Sequence, residues 1–230
     1  LIKLTKKQQS DKLLIEKTIN MLPLPNQKIQ PLVVAEKLGE RGIMIFTPRE
    51  FSRIFKTPSN QTHYFLETYT KRGLLVRLKK DLYTLKTKFP NEEIIANALY
   101  KPSYLSLEYA LSCYGIIPES VYTITSITTK ATVSFDVQGK EFLYRRIKKE
   151  AYTGYVPEKK DDKTIFIAEP EKSLADYLYF VSLGRKTLND RIDCSKLNKE
   201  KVIKYCKLFK RKNLNQIIDK VWELNPNIIV

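Results

Sequence analysis

Hydrophobic positions recur along this chain with helical spacing in some stretches and with alternation in others, and the changes between the two define the expected elements. A first helix is expected from near Ser10 through Leu13, Leu14 and Ile19, stopping before Pro23 and Pro25, whose missing amide hydrogens end it. A short helix from Pro31 to about Leu38 precedes breaks at Gly39 and Gly42, and Ile43 to Phe46 reads as a short strand. Thr47-Pro48-Arg49-Glu50 then supplies an N-cap, a proline at the first helical position and an acid at the third. The helix that follows places Phe51, Ile54 and Phe55 on one face. Thr57-Pro58 repeats the cap-and-proline start two residues later, so a turn is expected between two helices.

The second of these helices is expected from Pro58 to Arg72, with Gly73 ending it in the left-handed conformation. Thr62, Phe65, Leu66 and Tyr69 form its buried stripe. Its other face carries Asn60, Tyr64, Glu67 and Lys71, flanked by Gln61, His63 and Thr68. Leu74 to Leu78 and Leu82 to Leu85 are β-prone runs around the polar Lys79-Lys80-Asp81, which reads as a hairpin. Helix, tight turn, amphipathic helix and basic-tipped hairpin together predict a winged helix-turn-helix, and the pattern changes after Pro90. The expected fold is therefore α+β: a winged helix-turn-helix domain with leading helices over 1–89, then a mixed α/β domain with a helical tail over 90–230.

In the second domain Asn91 caps a helix that buries Ile94, Ile95, Ala98 and Leu99; Tyr104-Leu105 is extended, and Ser106 caps a helix closed by Gly115. Strands are expected over Val121 to Ile127, Val133 to Val137 and, after a Gln138-Gly139 turn, through Phe142, Tyr144 and Arg146. A further strand, Thr164 to Ala168, runs into a helix at Glu169-Pro170, with Leu174 and Leu178 on its inner face. Apolar stripes at Val202, Cys206 and Phe209, and at Leu214, Ile217, Ile218, Val221 and Trp222, make the tail helical.

Charge sharpens this picture. Lys and Arg number 41 against 25 Asp and Glu, a formal net charge of +16, which draws polyanions whatever their sequence. The plainer source of the same excess is a lysine-rich composition with no binding role. No apolar run is long enough to suggest a membrane span, and a cytoplasmic location is the default expectation. Double-stranded operator DNA is the expected partner. Ser59, Asn60, Gln61, His63, Tyr64 and Lys71 would meet bases and nearby phosphates, since Asn and Gln can pair with adenine edges. Arg77, Lys79 and Lys80 would clamp the backbone, fixing register without reading sequence. Arg145, Arg146, Lys148 and Lys149 form a second basic cluster at a strand end, either a phosphate patch or an exposed terminus. Glu67, on the reading face, would repel nearby phosphate unless it accepts from a cytosine amine.

The candidates for catalysis are few. Seven glycines leave little room for a phosphate loop, and the one histidine, His63, sits on the reading helix. Asp136, Glu158 and Lys160 can be stretched toward an Asp…Glu-x-Lys metal site, but Glu158 reads as part of a solvated loop. Glu169-Pro170-Glu171-Lys172 reads as a capped helix start. Cys113, Cys194 and Cys206 match neither a zinc pattern nor a disulfide framework. The expectation is a protein that is not an enzyme, with no cofactor and no metal. A DNA-targeted metal-dependent nuclease and a winged-helix protein-interaction module stand as alternatives.

Three stretches carry a family resemblance. Arg72-Gly73-Leu74-Leu75-Val76-Arg77-Leu78, continuing to Leu82-Tyr83, resembles the wing of AbiEi-type antitoxins. Pro102-Ser103-Tyr104-Leu105-Ser106-Leu107-Glu108-Tyr109-Ala110-Leu111, with Tyr114-Gly115, is similar to the opening of that family's second domain. Ala168-Glu169-Pro170-Glu171-Lys172-Ser173-Leu174-Ala175-Asp176 resembles its later strand-to-helix junction, and the likeness runs from about Phe46 to Phe180. It implies a bacterial transcriptional autoregulator, a repressor acting through the winged helix. Its second domain would counter a nucleotidyltransferase toxin in an abortive-infection toxin–antitoxin system of phage defence, without forming a stable complex with the toxin. The family usually has glycine in the wing turn where this chain has Asp81, a residue that tolerates left-handed geometry. The first thirty residues or so lie outside the resemblance.

Overall fold

The computed structural model describes residues 29–224, so the helix expected around Ser10 to Ile19 lies outside the described residues. The protein is mixed α and β and forms two compact units. One runs to Arg77 and takes in Tyr83–Lys88; the other holds Leu78–Leu82 and everything from Phe89 onward.

The first unit contains α1 (Pro31–Glu40), β1 (Ile45–Phe46), α2 (Pro48–Phe55) and α3 (Ser59–Lys71), and it shares with the second the hairpin β2 (Leu75–Lys79) and β3 (Leu82–Leu85). The three strands form one sheet in the order β1-β3-β2, with Ile45 opposite Thr84 and Phe46 opposite Tyr83 in antiparallel register. Helix α2 begins as its residues dictate: the Thr47 amide donates to Glu50 Oε2 at 2.8 Å, and the Glu50 amide donates back to Thr47 Oγ1 at 3.2 Å. Lys56, at φ 52, ends it. Thr57 does not repeat the cap. Its hydroxyl shares a 2.8 Å hydrogen bond with the Thr62 hydroxyl, and α3 starts behind Pro58 with no side-chain cap. At the other end, Gly73 takes φ 77, its amide donating to Thr70 O and that of Leu74 to Tyr69 O, a Schellman closure. The core joins Val34 and Leu38 of α1, Phe46, Phe51, Phe65, Leu66 and the hairpin residues Leu75 and Leu85. Phe51 and Phe65 meet at 5.2 Å between ring centroids, with Tyr69 4.3 Å beyond Phe65.

The second unit is built on a six-stranded sheet in the order β6-β7-β5-β4-β9-β8. Its strands are β4 (Ser103–Leu105), β5 (Ile124–Thr128), β6 (Val133–Val137), β7 (Lys140–Arg146), β8 (Tyr155–Lys160) and β9 (Lys163–Ala168). Pairs β4–β9 and β5–β7 are parallel and the others antiparallel. Helices α4 (Glu92–Leu99), α5 (Leu107–Cys113), α6 (Pro170–Ser182), α7 (Lys199–Lys207) and α8 (Leu214–Glu223) complete it. Helix α6 is buried along almost its whole length, and its Leu174, Ala175, Leu178 and Phe180 share a core with Val202, Phe209, Ile218 and Val221 of the tail.

Glu158 lies on strand β8, opposite Ile165, and not in a loop. Strand β8 is a sheet edge with Pro157 and an exposed polar end, so it lacks the apolar alternation that marks a strand.

Candidate nucleic-acid interface

Helix α3 packs one side on the aromatic core and leaves the other in solvent. Thr62, Phe65 and Leu66 are buried, and Tyr69 packs against the same core. Ser59, Asn60, Gln61, His63, Tyr64, Glu67 and Lys71 are all exposed, Tyr64 by 74%. The helical repeat leaves amide, hydroxyl and imidazole groups together on the solvent side of α3, opposite its buried stripe. Asn60 is engaged locally: its Oδ1 accepts from the Gln61 amide at 2.8 Å.

The charges of this face cancel each other. Lys71 Nζ and Glu67 Oε1 are 2.8 Å apart, one helical turn from each other. The hydrogen bond and the attraction hold the Glu67 carboxyl below its usual range and raise the Lys71 ammonium. Glu67 is therefore not an unpaired negative charge on this face, and Lys71 is not an unpaired cation.

Hairpin residues differ sharply among themselves. Arg77 and Lys80 are exposed. Asp81 takes φ 58, the left-handed geometry a glycine would otherwise supply. Lys79 is only half-exposed. Its ammonium donates to the Leu99 carbonyl and lies 5.7 Å from the Phe135 ring centroid, so the two tip lysines do not have the same surroundings.

In the other basic cluster, Arg146, Lys148 and Lys149 are exposed while Arg145 is half-buried, its Nε enclosed without a hydrogen-bond partner. The metal-site candidates are separated by the fold. Asp136 sits on β6 at one edge of the sheet, Glu158 and Lys160 on β8 at the other. Five strand spacings of about 4.8 Å put them about 24 Å apart, too far to share an ion. Among the described residues, no cluster of His, Cys, Asp and Glu is arranged to hold a metal, and no helix is long and apolar enough to cross a membrane. Burial pushes the Cys194 and Cys206 thiols up to about 12, which leaves neither as a thiolate nucleophile near neutral pH.

A buried charge cluster was not anticipated from sequence. Lys172 and Asp176 of α6 are both fully enclosed and form an ion pair. Asp176 Oδ2 also accepts from the Tyr104 hydroxyl at 3.0 Å and the Ser106 hydroxyl at 2.8 Å. Lys172 lies 5.0 Å from the Phe209 ring centroid and 5.9 Å from that of Tyr104. Beside it, Glu169 does not cap α6 with its side chain; its carboxylate accepts from the Tyr205 hydroxyl and pairs with Lys201 at 3.2 Å. Lys201 also reaches Glu171 at 3.1 Å. The Ala168 to Asp176 stretch thus pins α6 to β4 and α7. Lys172 and Asp176, four apart on a helix whose middle is largely apolar, were the available signal.

Neither comparison with protein-family models nor comparison with curated proteins gives a match.

Proposed function

We propose that this protein is a winged helix-turn-helix transcriptional autoregulator that binds operator DNA, and that it serves as the antitoxin of a bacterial abortive-infection system. The observation that carries the DNA-binding reading is α3. It follows α2 across a tight turn, rests on an aromatic core by one face and offers Asn60, Gln61, His63 and Tyr64 on the other. A short strand before α2 and a hairpin after α3 complete a three-stranded antiparallel sheet, the arrangement that supports a reading helix in this class. The positive balance of the whole chain favours the same partner.

In this reading α3 enters the major groove, Gln61 and Asn60 discriminate bases, and Lys80 and Arg77 meet phosphates. The antitoxin role rests on the likeness of three sequence stretches to AbiEi-type proteins, with a nucleotidyltransferase toxin as the functional counterpart. The direct test is fluorescence anisotropy of the full chain on duplexes tiled across the DNA upstream of its own gene. One duplex should bind at least 1,000-fold (roughly 4 kcal/mol) more tightly than the rest, the low end of specific recognition. Gln61→Ala should erode that preference at one or two base positions, by about 1–3 kcal/mol. Equal affinity for every duplex would refute sequence-specific regulation. For the antitoxin role, co-expression with the reading frame next to its gene should relieve growth arrest, without co-purification of the two products.

A further inference from the structure

Helix α4 ends abruptly. Tyr100, at φ −146 and ψ 98, leaves the helix in extended conformation, so the carbonyls of the last turn lose their intrahelical donors. Two of them receive side chains instead. The Tyr144 hydroxyl donates to Ala96 O at 2.6 Å, and the Lys79 ammonium donates to Leu99 O. A cation at that end also complements the partial negative charge of the helix C-terminus. Around it stand three rings: Tyr100 lies 5.4 Å from Tyr144 and 6.1 Å from Phe135 between centroids, and Phe135 lies 5.8 Å from Tyr144. Lys79 is over Phe135, and Lys130 sits 5.4 Å from the Tyr100 ring centroid. All of these residues, with Leu78–Leu82, belong to the second unit.

We propose that Lys79 is a positioning residue of the DNA-binding hairpin: it fixes the tip by closing the end of α4, and Lys80 alone of the two tip lysines contacts phosphate. The inference rests on the DNA-binding reading and refines it. Lys79 sits at the last position of β2 and Lys80 in the exposed turn. If Lys79 turned to a phosphate, the Leu99 carbonyl would lose its charged donor and the ammonium would leave the face of the Phe135 ring.

The experiment compares Lys79→Met, Lys79→Arg and Lys80→Met in the full chain by two measurements. The first is the slope of log K against log salt on the DNA upstream of its gene, which counts displaced phosphate counterions at about 0.9 each. Lys80→Met should reduce the slope by about 0.9, whereas Lys79→Met should leave it at the wild-type value while lowering affinity at every salt concentration. The second is amide hydrogen exchange without DNA. Protection of residues 78–82 and of the end of α4 should fall at least 10-fold in Lys79→Met, stay in Lys80→Met and be restored in Lys79→Arg. Failure of Lys79→Met to fold while Lys80→Met folds would carry the same meaning, because a solvent-facing phosphate contact has no part in folding. A slope reduced equally by both methionine variants, with exchange unchanged, would overturn the proposal. A wild-type protein that binds no DNA would instead sink the reading of function, and exchange would still decide whether Lys79 anchors the tip.

Discussion

Removing one partner of the buried pair should have a large effect, and the two partners should differ in a way that pH reveals. Asp176→Ala leaves the Lys172 ammonium enclosed with no counter-charge, which costs about 3–5 kcal/mol. It also takes the acceptor from the Tyr104 and Ser106 hydroxyls, each a buried donor worth about 1–3 kcal/mol when orphaned, although the losses overlap and do not simply add. Set against a typical stability of about 5–15 kcal/mol, this variant should lose a large share of its stability at 25 °C. Lys172→Met is milder, because the carboxylate keeps two hydroxyl donors and can take up a proton. Burial is the chief influence on Asp176 and raises its pKa in the folded state, while Lys172 is the largest influence pulling it down. With Lys172 gone, the folded-state value rises further. A carboxyl whose folded pKa lies above its unfolded one binds more protons when folded, so stability falls as pH rises through that window and recovers as pH drops back. The deficit of Lys172→Met relative to wild type should therefore shrink from pH 8 to pH 5, as followed by urea unfolding monitored by circular dichroism. A deficit as large at pH 5 as at pH 8, or an Asp176→Ala protein within about 1 kcal/mol of wild type, would refute the view that the pair is desolvated and mutually required.

Other consequences are as direct. Gly154 sits at φ 75, and a β-carbon there would come within 2.6 Å of the Tyr205 ring, so Gly154→Ala should cost about 1–2 kcal/mol from backbone strain alone and more from the clash, read as a drop in thermal midpoint. Its effect should be weaker in a Tyr205→Ala background, where the obstructing ring is gone. Thr47→Ala removes one half of the capping box at the start of α2 and should destabilise by about 1 kcal/mol in urea unfolding, whereas Thr57→Ala, which removes no cap, should be measurably milder. Glu67→Gln releases Lys71 from its ion pair, so DNA affinity should rise and the salt slope should steepen by up to about 0.9; an unchanged slope would mean that Lys71 faces no phosphate.

What could be read from the chain depended on how far apart the interacting groups lie. The Thr47–Glu50 box, the Gly73 stop and the Thr62, Phe65, Leu66 stripe are each written within a turn or two of helix, and each takes the expected form. Thr57 shows the limit of even local rules, since its hydroxyl had a second option in Thr62 one turn ahead and took it over the backbone. The parallel pairings of β4 with β9 and β5 with β7 join distant segments, and nothing in the strands themselves specifies those neighbours. Lys172 and Asp176 carry no sign of burial in their residue types, because charged residues usually mark solvent, and only the surrounding Tyr104, Ser106 and Phe209, far off in sequence, make an interior for them. Lys79 is the sharpest case. Beside Lys80 it looks like half of a basic tip, and its separate role comes from a backbone carbonyl twenty residues away, an acceptor that leaves no trace in residue type.

The near-neutrality of the α3 face bears on how such a protein would divide affinity from specificity. With Glu67 and Lys71 paired, the helix offers hydrogen-bonding groups and an exposed aromatic ring but little net charge of its own. Groups of that kind discriminate between bases and contribute little to non-specific attraction, which comes from phosphate neutralisation. The attraction must then come from cations elsewhere in a chain carrying +16, acting through a field that salt screens over about 8 Å at physiological strength. The two contributions are separable by experiment. Raising salt should weaken binding to cognate and unrelated duplexes in parallel and leave their ratio nearly constant, whereas substitutions at Gln61 or Tyr64 should change the ratio and leave the slope alone. A ratio that collapses with salt would mean that discrimination itself runs through charge, and the neutral helical face would then not be the reading surface.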